Sequence, residues 1–167
     1  MINRSKIIVI TPVKHIDNFE EEVNKLGVVD IKENITIEGF KRISSNYDII
    51  FTNPNKSKIY LGYDNLKNAK KLKIICTAST GTNHIDLDFC KKNKIKVLSL
   101  KTEFNIIKKI SSTAELAFTL TLASIRNILE SVKHVKKGGW DYTHFIGRQM
   151  NELNIGIIGY GRLGKNY

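Results

Sequence analysis

Five short runs of β-branched and apolar residues constrain this chain more than any other feature: KIIVI at 6–10, VVDI at 28–31, DIIFT at 48–52, KIICT at 73–77 and KVLS at 96–99. Short, almost unbroken apolar runs suit strands that are buried on both faces of a sheet. Thr11-Pro12 closes the first and Asn53-Pro54 the third, as turn residues should. The stretches between the runs read as helices. Around 17–26, Phe19, Val23 and Leu26 share one face, Glu20, Glu21 and Glu22 sit where a helix N-terminus favours acids, and Gly27 is a natural stop. A weaker helix is expected at 35–43, with Gly39 inside it, and further helices at 66–72 and 86–93. Parallel neighbours need a crossover between them, so strands alternating with helices predict βα units and a largely parallel sheet.

Open sheets of this kind place ligands beyond the carboxyl ends of their strands. The loop 78–83, Ala-Ser-Thr-Gly-Thr-Asn, follows the fourth run and is therefore a candidate site. Its small residues could offer backbone N–H groups to an anion. The plainer reading is a strand-to-helix turn in which Asn83 or Asp86 caps the next helix. Beyond it, Ser112-Thr-Ala-Glu115 fits a capping box, with Ser112 as N-cap, opening one long helix that runs to Gly138-Gly139. Residues 140–149 carry Trp140, Tyr142, His144 and Phe145, either as a surface arm that anchors an interface or as a satellite cluster on the chain's own helix. Last comes a short apolar run, 155–158, that reads as a strand leading into G-x-G-x-x-G at Gly159, Gly161 and Gly164. In a dinucleotide site these glycines permit the turn, the approach of a pyrophosphate and close helix packing, in that order.

Bulk properties narrow the class. At 167 residues the chain suits one ordinary domain and is short for two. No apolar run is long enough to cross a membrane, and the run at 7–10 is too brief for the core of a signal peptide. Cys76 and Cys90 lack C-x-x-C spacing and histidine partners, which reads as reduced structural thiols in a cytoplasm. The net charge of +11 could suggest nucleic acid, but the basic residues are scattered and lack interleaved aromatics for base stacking. A solvated surface is the better account, with neither nucleic acid nor membrane as partner.

Three segments read together resemble one family. CTASTGTNHIDLDFCKKNKIKVLSLKTEF, SSTAELAFTLTLASIR and NELNIGIIGYGRLGKNY follow one another as in the D-isomer-specific 2-hydroxyacid dehydrogenases, the group that includes D-3-phosphoglycerate dehydrogenase. The resemblance implies a flavodoxin-like, parallel-sheet substrate domain, its first part at residues 1–103. Residues 104–167 would then hold an inter-domain helix, an arm used for dimer formation, and the first strand and glycine turn of a Rossmann cofactor domain. By the same resemblance, Ser79, Thr80 and Gly81 match the loop that binds the substrate carboxylate. Thr113 matches a position lying against the cofactor, and Gly159, Gly161, Arg162, Leu163 and Gly164 match its phosphate-binding turn.

In that family a hydride passes between C2 of a D-2-hydroxy acid and NAD, with NADP not excluded here. An arginine, a glutamate and a histidine complete the site, all following the glycine turn. His15, His84, His134 and His144 precede it, so none is expected to be catalytic. A segment around Lys101-Thr-Glu-Phe-Asn105 replaces the Thr-Pro turn the family often has there. The expectation is therefore an NAD-dependent oxidoreductase on small 2-hydroxy or 2-keto acids, dimeric at full length, present as an amino-terminal fragment that is inactive alone. The competing expectation is a truncated binding or oligomerisation module that pairs with a full-length dehydrogenase.

Overall fold

A computed structural model describes residues 4–54 and 58–167; residues 1–3, part of the start weighed above as a leader, lie outside the described residues. The chain divides into two compact units, Met1–Phe104 and Asn105–Tyr167.

The first unit is built on five parallel strands: β1 (Lys6–Val9), β2 (Val28–Ile31), β3 (Ile49–Thr52), β4 (Ile74–Thr77) and β5 (Lys96–Ser99), in the spatial order β2-β1-β3-β4-β5. All five apolar runs became strands, and the order is the flavodoxin-like one. Register sorts the side chains onto two faces. Ile8, Ile50, Ile75 and Val97 align across four strands on one face; Val9, Phe51, Cys76 and Leu98 align on the other. The first face is the core, closed by Phe40, Leu66 and Cys90 from the helices α2 (Ile37–Ile43), α3 (Tyr63–Leu66) and α4 (Leu87–Lys92). On the second face, Phe19 of α1 (Phe19–Asn24) meets Phe51 edge to face, with ring centroids 5.2 Å apart.

The opposite, amino-terminal edge of the sheet is tied by Asp48. Its carboxylate accepts the Lys6 N–H at 3.0 Å and lies 3.3 Å from the Lys73 ammonium, while its carbonyl accepts the Lys73 N–H. The Lys6 N–H bond and then the Lys73 contact hold that carboxyl below its usual range. Cys76 and Cys90 are free thiols, and burial raises both; Cys90, with Asp86 adding to the effect, reaches about 11.

Several expectations are corrected in this unit. The helix expected at 66–72 lies earlier, at α3. The buried Leu66, Ala69 and Leu72 that suggested it are joined by successive tight turns, Ala69 N–H to Leu66 and Leu72 N–H to Ala69. Leu26 does not share the packed face of α1; it is 73% exposed, because α1 ends at Asn24, with Lys25 as its C-cap. Gly27 is less a helix stop than a close approach: a Cβ there would stand 2.3 Å from the Ser5 carbonyl oxygen.

The second unit is helical. After the single turn α5 (Phe104–Ile107), which straddles the division, come α6 (Ser112–Ile125), α7 (Ile128–Lys136) and α8 (Arg162–Asn166). The one long helix is thus two. Asn127 adopts a left-handed backbone (φ 52°) that ends α6 and starts α7, a conformation asparagine tolerates better than most residues. The start also shifts. Ser111, not Ser112, precedes the first helical residue, and its hydroxyl donates to the Glu115 carboxylate instead of capping backbone. Residues 155–158 form no strand, and Ile158 is fully exposed. A strand needs a neighbour for its backbone groups, and no described strand pairs with this segment.

Part of the aromatic arm is the satellite cluster expected on the chain's own helix. Phe145, in a 3-10 turn at Tyr142–Phe145, packs on His134 of α7 with ring centroids 5.1 Å apart, whereas Trp140 is 91% exposed. Among the described residues no helix is long and apolar enough to cross a membrane.

Candidate functional site

The loop after β4 sits at the carboxyl edge of the sheet, one strand removed from the β1/β3 switch point. Its entry is pinned to both neighbouring strands: the Ala78 N–H donates to the Thr52 carbonyl of β3 at 3.1 Å, and the Leu100 N–H, just past β5, donates to the Ser79 carbonyl at 3.0 Å. Its exit is held by Asp86, whose carboxylate accepts the Phe89 N–H at 2.8 Å as the N-cap of α4. The plain reading of this turn was therefore correct about the cap. It does not account for the middle.

There, the backbone N–H groups of Ser79, Thr80 and Gly81 donate to no acceptor among the described residues. Nothing lies within 4 Å of where a Gly81 Cβ would stand. Ser79 turns its hydroxyl inward, donating to the Gly81 carbonyl at 2.7 Å. Free amides in a held loop are groups that an anion can accept from. Sequence reasoning found these three residues but not two partners. Thr77, almost wholly buried, places its hydroxyl 2.8 Å from that of Ser79 and 3.1 Å from Nε2 of His84. Burial depresses the basicity of His84, whose Nδ1 is buried without a partner among the described residues. The hydroxyl of Thr52, aligned with Thr77 in register, is buried and unpaired in the same sense. Strand-end threonines look like ordinary β-formers, so their spacing alone did not mark them.

In the second unit the backbone requires glycine at two positions of G-x-G-x-x-G, Gly159 and Gly164, while Gly161 stands in the open. Gly159 has a positive φ of 94°. Gly161 has nothing within 4 Å of a Cβ position, and a Cβ on Gly164 would stand 2.4 Å from the Gly159 carbonyl oxygen. The N–H groups of Arg162, Leu163 and Gly164, at the start of α8, donate to no acceptor among the described residues. An open glycine preceding free amides is the pattern a pyrophosphate site uses. The Arg162 guanidinium reaches the other way, to the carbonyls of Ile107 at 3.1 Å and Ile110 at 2.5 Å, so this side chain braces the turn. Tyr167 braces α8 against α6 through its hydroxyl, 2.8 Å from that of Thr121, and an edge-to-face contact with Phe118. Thr113 is exposed in the first turn of α6.

Known proteins share this fold. Residues 7–138 match the family model of the D-isomer specific 2-hydroxyacid dehydrogenase catalytic domain, and residues 118–167 match that of its NAD binding domain. NAD is accordingly the cofactor of this family's second domain. The D-3-phosphoglycerate dehydrogenase of Methanocaldococcus jannaschii is 29% identical over 160 residues, covering 96% of this chain and 29% of that one. The D-lactate dehydrogenase of Aquifex aeolicus, solved with NAD and lactic acid, superposes with a TM-score of 0.73 at 25% identity, over 96% of this chain and 46% of that one. The pyruvate reductase of Chlamydomonas reinhardtii superposes with a TM-score of 0.76, over 98% of this chain and 47% of that one; at 19% identity it speaks for the fold alone. The chain thus spans less than half the length of these relatives. Since the catalytic-domain match takes in the whole sheet and the cofactor-domain match ends in the glycine turn, the chain belongs to the D-isomer specific 2-hydroxyacid dehydrogenase family.

Proposed function

We propose that this chain supplies the substrate-carboxylate loop and the cofactor-phosphate turn of an NAD-dependent dehydrogenase acting on a small D-2-hydroxy acid. The observation that carries it is the set of amides at Ser79, Thr80 and Gly81 that donate to no acceptor among the described residues, in a loop at the carboxyl edge of the sheet. A carboxylate accepting two or three backbone N–H bonds is held by charge-assisted contacts, and these orient C2 of the acid. In the second unit, Gly159, Gly161 and Gly164, with the amides of Arg162 and Leu163, would hold the pyrophosphate, and Thr113 would border the cofactor. Bound NAD supplies or accepts the hydride. On this reading residues 1–103 are the first part of the substrate domain, and residues 104–167 begin the cofactor domain.

Proton transfer requires a group this chain does not provide. His15, His134 and His144 belong to neither loop. His84 is half-buried, with its Nδ1 shielded and its charging suppressed. A polypeptide of these 167 residues therefore binds without turning over. The test is NADH oxidation by the purified chain with glyoxylate, hydroxypyruvate or phosphohydroxypyruvate. No turnover above the buffer rate is expected, and measurable turnover would refute the division of labour.

A second reading, a non-catalytic module that pairs with a full-length dehydrogenase, is favoured by one feature. Ile128, Val132 and Val135 form an exposed apolar stripe on α7, beside the exposed Trp140 and Ile146. Co-elution with a full-length family member on size exclusion would support it, and separate elution would count against it. Homodimer formation and a cytoplasmic location belong to the first reading.

A further inference from the structure

His84 has no part in the proposed chemistry, yet its ring ends a chain of hydrogen bonds that leads into the carboxylate loop. The direction of that chain follows from counting protons. The Gly81 carbonyl can only accept, so the single Ser79 hydroxyl proton is spent on it at 2.7 Å. Ser79 must then accept from Thr77, 2.8 Å away, which spends the single Thr77 proton. Thr77 must in turn accept from Nε2 of His84, at 3.1 Å. The imidazole is thereby fixed as the Nε2–H tautomer, leaving Nδ1 as a bare, buried lone pair. The opposite tautomer would bury an N–H without an acceptor, a costlier arrangement.

The backbone that carries the ring is itself well anchored. The His84 carbonyl accepts the Leu61 N–H at 2.8 Å, and the Leu61 carbonyl accepts the Asp86 N–H at 2.9 Å, closing a parallel bridge between Leu61 and Ile85. Both Leu61 and Ile85 are core residues. At the far end, the bond from the Ser79 hydroxyl to the Gly81 carbonyl closes a ring across residues 79–81, the stretch whose amides are at issue.

We propose that His84 is the positioning residue of this loop: through Thr77 and Ser79 it locks the turn across residues 79–81, and so maintains the conformation in which the amides of Ser79, Thr80 and Gly81 donate to no acceptor among the described residues. What the loop binds rests on the carboxylate reading above; the lock itself does not.

The test uses the 167-residue chain labelled with 15N and 13C, with D-lactate as probe. The His84 ring should show a single tautomer, protonated at Nε2. His84→Gln keeps an N–H donor and should keep the native shifts of the loop amides, while His84→Phe should displace them and weaken D-lactate at least tenfold. Thr77→Val, which preserves shape but breaks the relay, should reproduce the His84→Phe loop with the amide shifts of α2 unchanged. A ring protonated at Nδ1, or loop shifts and affinity within twofold of native in both His84→Phe and Thr77→Val, would overturn the proposal. If the native chain shows no D-lactate shift at the loop, the carboxylate reading fails on its own. The ring tautomer and the loop shifts of the variants then still decide the lock.

Discussion

Replacing Gly81 by alanine should separate binding from folding. A Cβ at that position meets nothing within 4 Å, and the backbone is outside the left-handed region, so the native structure accepts the methyl without strain. The unfolded chain loses conformational freedom in the same step. Stability should therefore be unchanged or higher by up to about 1 kcal/mol. The same methyl fills the space from which a carboxylate would reach the Gly81 N–H. Losing one hydrogen bond to a charged group costs about 1.5–3 kcal/mol, which converts to roughly 10- to 150-fold in affinity. Urea unfolding would give the first quantity, and titration of the loop amides with D-lactate the second. A variant destabilised by more than about 1 kcal/mol, or one binding D-lactate within twofold of native, would refute the reasoning that this space belongs to a ligand.

Gly27→Ala is the opposite case: the added Cβ stands 2.3 Å from the Ser5 carbonyl, which already accepts the Val28 N–H, so β1 and β2 must part at a cost of about 1–3 kcal/mol. An unchanged urea midpoint would contradict it. Asp86→Ala removes the cap from α4 and should cost about 1 kcal/mol, visible in the same assay. Tyr47 donates to the Asp30 carboxylate at 2.6 Å, and burial, then that bond, raises its hydroxyl to about 12. Because the folded form holds this proton more tightly than the unfolded form, the stabilisation is complete below pH 10 and is lost as pH rises towards about 12. It amounts to roughly 2–3 kcal/mol in all. Urea midpoints for native and Tyr47→Phe protein should converge over that window; a constant difference would refute the assignment.

The sheet was legible because its central strands β1, β3 and β4 are β-branched runs covered or half-covered on both faces, while the edge strands β2 and β5, each with one exposed face, still read as short apolar runs. Patterns that depend on a neighbour were not. The buried spacing of Leu66, Ala69 and Leu72 is real, but consecutive tight turns place those side chains as well as a helix would. Residues 155–158 have the composition of a strand and no described partner to pair with. The break at Asn127 turns on one residue's tolerance of a positive φ, which leaves the apolar pattern on either side intact. At the site, the loop was visible from its small residues and its place after β4. Its tie to His84 was hidden because the relay runs through Thr77, which in sequence is only the last residue of a strand.

The most direct measurement of the central claim is a crystal structure of the chain grown with D-lactate. A carboxylate on this loop should lie within about 2.7–3.2 Å of the amide nitrogens of Thr80 and Gly81, with the Ser79 hydroxyl still on the Gly81 carbonyl. D-lactate bound elsewhere, with those amides facing solvent at saturating concentration, would contradict the account.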